Sequence, residues 1–373
     1  MVLDFTCNNL KNDLDKIYIK AKKIKPDIQN KHLQKIINIT NFFRIIGLTT
    51  MWYCINPISI ISLTLYTTAK WSMIGHHSCH GGYDSINKKH HRLKFGIKER
   101  RFWDWFDWFL PEAWNYEHNN KHHYHLGEAG EDPDLIEYNI NFLRESKIPL
   151  IFKYFNVFIL AATWRWSYYT SNTYKELAIK NYENKNKVSV KKERYYLIYT
   201  ALIQNNEWFS FCEFYLKIIG FYLIYNFILL PLPLLIISQE YFFNSLYNLI
   251  IAEFITNFYT FLIIATNHCG NDVYRFSTKC NLQDKEDFYL RQILGSVNFN
   301  YGNDFIDYLH GFLNYQIEHH VFPDLSMYAY QKIAPEVKEI CKKNNIPYIQ
   351  ENVFIRLYKT IKIFTGEESM KVI

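Results

Sequence analysis

Apolar residues along this chain gather into long stretches instead of being spread evenly. Residues 42–74 are mostly apolar, and Asn56 and Pro57 near their middle predict a bend between two short spans. Residues 209–238 and 241–266 are each long enough to cross a bilayer as a helix. Because backbone polar groups must be satisfied within lipid, this pattern predicts an all-α, polytopic membrane protein with about four transmembrane helices.

A shorter apolar stretch, residues 149–169, also carries Lys153, Arg165 and several aromatic residues. This mixture favours a helix lying in the membrane interface over a fifth span. Residues 101–114 place four tryptophans beside acidic and basic residues, which is typical of an interfacial helix, with the wall of a ligand entrance as the alternative. Glu253 inside the last apolar stretch is costly in lipid, so we expect it to face the bundle interior or a partner.

The pattern divides the chain into a cytosolic N-terminal segment (residues 1–41), a membrane domain (42–348) and a C-terminal amphipathic helix with a tail (349–373). The N-terminal segment is rich in lysine and shows no signal peptide, and positive charge before a first span marks the cytoplasmic side. We therefore expect both termini to be cytosolic and the location to be the endoplasmic reticulum membrane if the source is eukaryotic. The net charge of +6 is better explained by anionic lipid than by nucleic acid, because the basic residues lie in flanks and loops.

Two polar regions carry local predictions. Residues 172–194 are rich in lysine and lack periodicity, which indicates a mobile cytosolic loop. Further along, Ser326 is suited to cap a helix, and Pro335 is suited to the first turn of the next one. These segments would lie on the cytosolic face, beside the membrane domain.

Eleven of the fourteen histidines fall into tight clusters. A zinc site takes three or four protein ligands, so this number fits two metal ions better than one. His76 and His80 are four residues apart and can share one helical face, as can His118 and His122. Successive helical positions diverge by about 100°, so the neighbours His122 and His123 are expected to serve two different ions. The clustered histidines are His76, His77, His80, His118, His122, His123, His125, His268, His310, His319 and His320.

The histidine boxes HHSCH, HNNKHH and QIEHH, in this order and separated by apolar spans, resemble those of the membrane fatty-acid desaturase and hydroxylase superfamily. The superfamily pattern is HxxxH, then HxxHH, then HxxHH or QxxHH, around a di-iron centre facing the cytosol. The flanking strings WNYEHNNKHHYH, EDPDL and NYQIEHHVFPDLS extend the resemblance. It covers residues 51–348 and implies a cytosolic helical cap that carries the boxes.

The resemblance implies a set of metal ligands and a set of supporting residues. His268 matches the position of an extra ligand between the second and third boxes. A ligating imidazole normally donates its other ring nitrogen to a carboxylate or a carbonyl, which suggests the supporting set. The implied ligands are His76, His80, His118, His122, His123, His268, His319 and His320. The possible supporting residues are His77, Glu117, His125, Asp272, His310, Gln316 and Glu318.

The implied activity is the introduction of a double bond into a fatty acyl chain, with two iron ions as cofactor and O2 as co-substrate. Glutamine at position 316 is typical of front-end desaturases, which usually carry a fused cytochrome b5 domain. This sequence has neither an HPGG haem motif nor a GxGxxG loop, so an external electron donor, cytochrome b5 or ferredoxin, is expected. Lipid hydroxylation remains open, whereas a zinc-dependent membrane hydrolase or a metal carrier is less well supported. The acyl chain length, the head group and the position of attack also remain open.

Overall fold

The computed structural model describes residues 9–100, 110–190, 207–210 and 212–373, and helices dominate them. The first α-helices are α1 (Leu10–Lys22), α2 (Pro26–Thr50), α3 (Pro57–Thr68), α4 (His76–Cys79), α5 (Pro111–Trp114), α6 (His123–His125), α7 (Ile136–Asn139), α8 (Asn141–Arg144), α9 (Leu150–Ala162) and α10 (Thr170–Asn186). They continue with α11 (Phe221–Ile224), α12 (Gln239–Ile264), α13 (Lys285–Leu294), α14 (Asp304–Leu309), α15 (Gln316–Val321), α16 (Met327–Lys343) and α17 (Val353–Thr365).

Wider and tighter helical turns join these elements. The π-helices are Ala69–Gly75, Asn115–His122, Arg165–Tyr169, Glu213–Gly220 and Tyr225–Leu229. The 3-10 helices are Lys88–His90, Lys98–Arg100, Leu232–Ile236, Ala265–Asn267 and Leu313–Tyr315. Four two-residue strands form two parallel pairs, β1 (Tyr274–Arg275) with β4 (Lys371–Val372) and β2 (Asn298–Phe299) with β3 (Gln350–Glu351). The mostly helical architecture agrees with the all-α part of the predicted fold class.

The first apolar stretch is a helical hairpin, as its central Asn-Pro pair predicts. The chain leaves α2 at Thr50 and starts α3 at Pro57, and the Asn56 side chain caps α3 by accepting from the Ser59 amide at 2.8 Å. Gly47 lets the two helices approach closely, since a Cβ there would lie 2.8 Å from Leu63 Cγ. Helix α2 begins at Pro26, before the apolar stretch of residues 42–74. It therefore crosses the predicted boundary between the N-terminal segment and the membrane domain.

Within the described residues, two helical stretches are long and apolar enough to cross a membrane, Glu213–Ile236 and Gln239–Asn267. The other two of the four predicted spans, which are the helices of the first hairpin, therefore stay a prediction. Helix α9 has 13 residues, which at about 1.5 Å per residue is too short to cross a bilayer. Its interfacial placement is consistent with that length and stays a prediction.

Two predictions about polar segments are wrong. Residues 170–186 form helix α10 instead of a loop, and most of its first ten residues are buried. The polar side chains there are satisfied inside the protein: Asn172 donates to the Pro133 carbonyl at 2.7 Å, and Glu176 pairs with Lys121 at 3.2 Å. Polar composition alone therefore misled the prediction.

Residues 191–194 of the predicted loop lie outside the described residues, as do residues 101–109 of the tryptophan-rich segment.

The second wrong prediction is a helix start at Pro335. Ser326 does cap a helix, because its hydroxyl accepts from the Ala329 amide at 3.2 Å, but that helix is α16 and it passes through Pro335 without a break. A proline inside a helix removes one backbone hydrogen bond. Buried residues on both sides of it, including Ile333 and Val337, keep α16 packed as one unit.

The terminal helices pack over the end of the bundle that carries the histidines. Helix α1 lies against α16, where Lys20 pairs with Glu336 at 2.6 Å and Asp13 with Lys343 at 3.0 Å. Helix α17 lies against α9 and the 3-10 turn after α12, and it buries Phe364 in the core. This helical layer excludes water from the boxes beneath it.

Asn248 closes the far end of the first hairpin. This buried side chain of α12 accepts from the Asn56 amide at 3.0 Å and donates to the carbonyls of Met51 and Cys54 at 2.8 Å each. Asn248→Leu would leave these groups unpaired, at about 1–3 kcal/mol for each group that water cannot reach. We expect the thermal midpoint of the purified protein in detergent to fall by several degrees. Asn156→Leu, on the exposed face of α9, should leave it unchanged, and equal midpoints for the two variants would contradict this role.

Candidate metal centre

The three histidine boxes lie at the ends of helices that converge on one buried region. The first box follows the π-helix Ala69–Gly75 and occupies α4, and the second spans the π-helix Asn115–His122 and α6. The third lies on α15, and His268 follows the 3-10 turn at the end of α12. Each box therefore comes from a different part of the chain, and only the tertiary fold brings them together.

The converging histidines form two groups, and within each group the candidate ligand atoms lie within 4.8 Å of one another. Together the groups contain all eight residues that the resemblance implied as ligands. All are buried except the half-buried His268. The first group is His76, His80, His118, His123 and His319. The second group is His122, His268 and His320.

Neighbouring histidines divide between the two groups, as helical geometry predicts. His122 belongs to the second group and His123 to the first, and the adjacent pair in the third box divides in the same way. One expectation was wrong: His118 joins His123, five residues away, instead of His122. The reason is that Asn115–His122 winds as a π-helix, whose hydrogen bonds run from i to i+5.

In the first group, the ring nitrogens of His76 and His319 face each other. The Ser72 backbone hydrogen-bonds the His76 ring, and His319 Nδ1 lies 3.3 Å from the Tyr330 hydroxyl, which itself donates to the Phe322 carbonyl. Because the Tyr330 hydroxyl already donates, it accepts from His319 and assigns the proton of that ring to Nδ1. The Nε2 atoms of His76 and His319 lie 2.9 Å apart, close enough for both to bind one cation.

In the second group, every imidazole uses Nδ1 for an outward hydrogen bond. His122 donates to the Asp132 carboxylate at 2.9 Å, His268 to the Gly295 carbonyl at 2.9 Å, and His320 to the Gln292 side-chain oxygen at 3.1 Å. Metal-bound histidines are held in this way. Each ring therefore keeps Nε2 as its candidate ligand atom, and that of His268 lies 2.9 Å from the Gln316 side-chain nitrogen.

Burial keeps most of these rings neutral. It is the main cause that lowers their pKa, and the neighbouring imidazoles lower it further; the affected rings are His76, His80, His118, His123, His319 and His320. Burial also lowers the pKa of His268 to about 3. For His122, burial lowers the pKa, but the Asp132 carboxylate outweighs it and raises the pKa overall.

Several of these buried nitrogens have no hydrogen-bond partner among the described residues. They are Nε2 of His80, Nδ1 of His118, Nε2 of His320 and both ring nitrogens of His123. A buried polar atom without a partner is costly, and a neutral imidazole is a good ligand for zinc or iron. The residues present therefore fit bound metal ions.

The residues predicted to support the ligands divide into two sets. Gln316 contacts the second group, since its side-chain nitrogen lies 2.9 Å from His268 Nε2, and His77 packs beside His319 while donating to the Met73 carbonyl at 2.8 Å. His125 and His310 lie outside both groups. His125 hydrogen-bonds to Glu128, and His310 hydrogen-bonds to the Ile306 carbonyl.

The three predicted carboxylates make no hydrogen bond to a ligand ring. Asp272 pairs with Arg356 and Lys359 at 2.7 Å each, and Glu318 accepts from Asn298 and Tyr348 at 2.8 Å each. Both oxygens of the buried Glu117 lack a hydrogen-bond partner in the described part of the chain. Adjacency in sequence was a poor guide, because residues next to a ligand on a helix point away from it.

The supporting residues that the structure does supply are Asp132, Gln292 and Tyr330. Asp132 had a usable signal, since it lies in the EDPDL string that accompanies the second box. Its carboxylate also accepts from the amides of Gly127 and Asp134 at 2.8 Å each, which fixes its position. Gln292 and Tyr330 lie on separate helices far along the chain, and nothing local in the sequence marks them.

A narrow slot of about 30 Å³ adjoins the two groups. Its polar lining consists of His76, His118, His122 and His268, together with Ser72, Gln316 and Asp134. The rest of the lining is largely aromatic and aliphatic. It comprises Trp71, Trp114, Tyr169, Ile264 and Leu313. The site therefore combines metal-ligand chemistry with an apolar approach.

Comparison with known sequences agrees with this geometry. The sequence model of the family described as fatty acid desaturase matches residues 50–352. The chain belongs to the fatty acid desaturase family. No solved structure matches it at a significant level.

Three relatives show what the chain is similar to. An NADPH-dependent stearoyl-CoA 9-desaturase of Mycobacterium tuberculosis is 24% identical over 77% of this chain and 61% of its own length. A Delta(5) fatty acid desaturase of Dictyostelium discoideum is 31% identical over 26% of this chain and 22% of its own. A Delta(6)-fatty-acid desaturase of Caenorhabditis elegans is 38% identical over 25% of this chain and 20% of its own. The chain thus spans about three fifths of the first relative and about a fifth of the others.

Asp132 offers a test of the metal centre. Asp132→Asn keeps the size of the side chain but weakens the bond that orients His122, and loss of such a contact typically lowers metal affinity by about 10- to 100-fold. The metal content of the purified variant, measured after dialysis against a graded series of chelator concentrations, should fall at a lower chelator concentration than in the wild type. Glu131→Gln, one residue earlier and paired with Lys279 at the surface, should behave as the wild type. Equal retention by both variants would remove Asp132 from the site.

Proposed function

We propose that this protein is a membrane-bound fatty acyl desaturase, which uses two iron ions and O2 to introduce a double bond into an acyl chain. The observation that carries the proposal is the convergence of eight histidines from separate helices into two adjacent groups, with the Nδ1 protons of the second group directed outward. Membership of the fatty acid desaturase family supports the reaction class. The names of the relatives support an acyl substrate.

Each group of histidines would hold one ion. The five members of the first group exceed the usual needs of one metal, whereas the second group has three histidines with Gln316 beside them. When bound, the iron would supply the oxygen-activating chemistry that removes hydrogen from an unactivated C–H bond. Neutral imidazoles, which keep one ring nitrogen free of a proton, are suited to this role, and burial opposes their protonation.

The residues of the slot would position the substrate and exclude water. Trp71 and Trp114 lie on its apolar side, and Trp114 is fixed by donating to the Tyr169 hydroxyl at 3.0 Å. A slot of about 30 Å³ has room only for a short part of an alkyl chain beside the metal centre. Holding the chain in one position beside the metal centre is the main way in which a protein contributes to such a reaction.

Electrons would come from a separate carrier. The sequence contains no HPGG haem motif and no GxGxxG loop, so we propose cytochrome b5 or ferredoxin as the donor, and no nucleic acid as a partner. The name of the Mycobacterium tuberculosis relative states that it depends on NADPH, which is consistent with a reductase that feeds such a carrier. The lysine-rich residues 185–194 would offer a basic docking surface for an acidic carrier, and residues 191–194 of it lie outside the described residues.

The proposal includes a topology. The first hairpin and the two stretches Glu213–Ile236 and Gln239–Asn267 would together make four spans, with the metal centre and both termini on the cytosolic side. Two spans before the first box and two between the second and third return the chain to the same side each time. The turn at Cys54 between α2 and α3 would then face the opposite compartment.

Lipid profiling tests the reaction. Expression in a host that lacks endogenous desaturation should yield a new unsaturated acyl species, and His319→Ala or His123→Ala should abolish it, because each variant removes a member of the first group. The variants should still accumulate in membranes. Growth without oxygen should also prevent the product, as O2 is a co-substrate.

His91→Ala is the matched control, since His91 is a half-exposed residue in neither group, and it should keep full activity. Full activity in both first-group variants would remove the di-iron assignment. A hydroxylated product in place of an unsaturated one would show that the alternative chemistry of the superfamily operates at the same site. Purified wild-type protein should contain about two irons per chain.

Cysteine labelling in sealed vesicles tests the topology. In a background without native cysteines, single cysteines at the exposed positions Lys11, Lys94, Lys185 and Lys371 should all react with an impermeant maleimide from the same side. The exposed native Cys54, restored alone, should react only from the opposite side. If position 185 reacts together with Cys54, residues 149–169 cross the membrane and the proposed count is wrong.

A further inference from the structure

The outer face of helix α17 is apolar, although this helix lies at the surface of the protein. Phe354, Ile355 and Tyr358 have the spacing that places side chains on one helical face, and they are 66%, 50% and 61% exposed. A helix that borders water usually shows the opposite arrangement, with polar side chains outward. Neither the two histidine groups nor the slot beside them uses these three side chains.

The inner face of the same helix carries its polar contacts. Arg356 is fully buried and pairs with Asp272 at 2.7 Å, and its guanidinium donates to the Cys269 carbonyl at 2.8 Å. The Thr360 hydroxyl donates to the same carbonyl at 3.2 Å. These contacts fix the rotation of α17 about its own axis, so its apolar outer face is set by the fold.

The contacts of α17 with α12 show how α17 lies. Val353 at its start is buried in one apolar cluster with Ile263, and Phe364 near its end packs against Phe261 with the ring centres 5.6 Å apart. The two contact points are eleven residues apart on α17, about 16 Å along its axis, but only two residues apart on α12, about 3 Å. The two helices therefore cross at a large angle.

This crossing gives α17 a place relative to the membrane. Helix α12 belongs to the stretch Gln239–Asn267, which is long and apolar enough to span a bilayer, and in the proposed topology its last two turns lie at the cytosolic boundary. A helix that crosses these turns at a large angle lies along the membrane plane at the level of the head groups. Interfacial helices take this position, with their apolar side chains towards the acyl chains.

The exposed side of α12 is apolar, which identifies the side that would face lipid. Glu253 faces inward, as predicted, and pairs with the buried Arg165 at 2.9 Å. The exposed side chains of α12 beyond its first turn are all aliphatic or aromatic. They are Phe243, Tyr247, Ile250, Ile251, Phe254 and Ile255.

Helix α9 connects this side of α12 to the outer face of α17. Most exposed side chains of α9 are apolar, and Phe158 packs against Phe258 of α12 with the ring centres 5.2 Å apart. Lys362 joins α9 to α17, since its ammonium lies 5.5 Å from the Tyr358 ring centre and 3.4 Å from the Tyr154 hydroxyl. A contiguous apolar surface with polar groups at its edge marks a contact with a membrane or with protein.

We propose that the outer face of α17 lies in the cytosolic leaflet of the membrane, with Phe354, Ile355 and Tyr358 against the acyl chains of the lipids. The inference rests on the membrane insertion within the proposed function, but not on metal binding or on O2. A second copy of the chain or another protein would also cover an apolar face. Lipid is the occupant that the geometry favours, because α17 lies along the membrane plane and its outer face continues the exposed side of α12.

Spin labelling in vesicles tests this position. In the full-length protein without native cysteines, Phe354→Cys, Ile355→Cys and Tyr358→Cys each receive a nitroxide label and are reconstituted in palmitoyloleoylphosphatidylcholine vesicles. Electron paramagnetic resonance then compares collisions of the label with O2, which concentrates in lipid, and with a water-soluble nickel chelate. The oxygen-to-nickel ratio should be severalfold higher than at a water-facing site, and the labels should lie about 5–10 Å below the head-group boundary.

Two control positions frame this measurement. Glu339→Cys is the matched water-facing control, since Glu339 is an exposed residue of α16, a helix of the layer over the histidines. Phe254→Cys is the lipid control, since Phe254 is an exposed residue within the predicted span. A label at position 339 should collide mainly with the nickel chelate, and a label at position 254 should collide mainly with oxygen.

The controls separate failure of this inference from failure of the proposed function. Water-like ratios at all three α17 positions, with a lipid-like ratio at position 254, would overturn the inference and leave the membrane insertion intact. A water-like ratio at position 254 would refute the proposed topology and the inference with it. Labels on α17 that neither reagent reaches would show that protein covers the face, and short label-to-label distances by double electron–electron resonance would identify a second copy as that protein.

Discussion

The candidate metal centre depends on one electrostatic constraint: buried imidazoles whose ring nitrogens approach each other within a hydrogen-bond distance. The Nε2 atoms of His76 and His319 lie 2.9 Å apart. Burial opposes protonation of these rings, and lone pairs that face each other repel. Contacts from distant elements hold the histidines in place: Tyr330 on helix α16 contacts His319, and the Asp132 loop contacts His122 of the second group.

The helices meet this constraint by departing from regular α geometry close to the site. The π-helices Ala69–Gly75 and Asn115–His122 precede or carry the first two boxes, and the wider turn places His118 with His123. π-Turns are uncommon and are found frequently at functional sites. Away from the site, ordinary means suffice: Gly47 permits close packing of the first hairpin, and Asn248 satisfies its turn.

The sequence predicted what depends on periodicity and local chemistry, and it failed where tertiary contacts decide. The bend at Asn56, the cap at Ser326 and the division of His122 from His123 follow from local rules. Helix α10 was missed because its polar residues are satisfied by partners from other elements. The supporting contacts of Gln292 and Tyr330 bridge distant parts of the chain, so no local pattern could reveal them.

Adjacent residues that serve different groups have a consequence for how the centre is assembled. A single peptide unit joins His122 to His123, and another joins His319 to His320, so each connection ties one group to the other through the shortest possible length of backbone. When one group becomes ordered, the backbone of the other group is fixed at the same two points. The second group then loses less conformational entropy when it binds an ion. Under the proposed function, binding of an ion by one group would therefore lower the entropic cost of binding by the other.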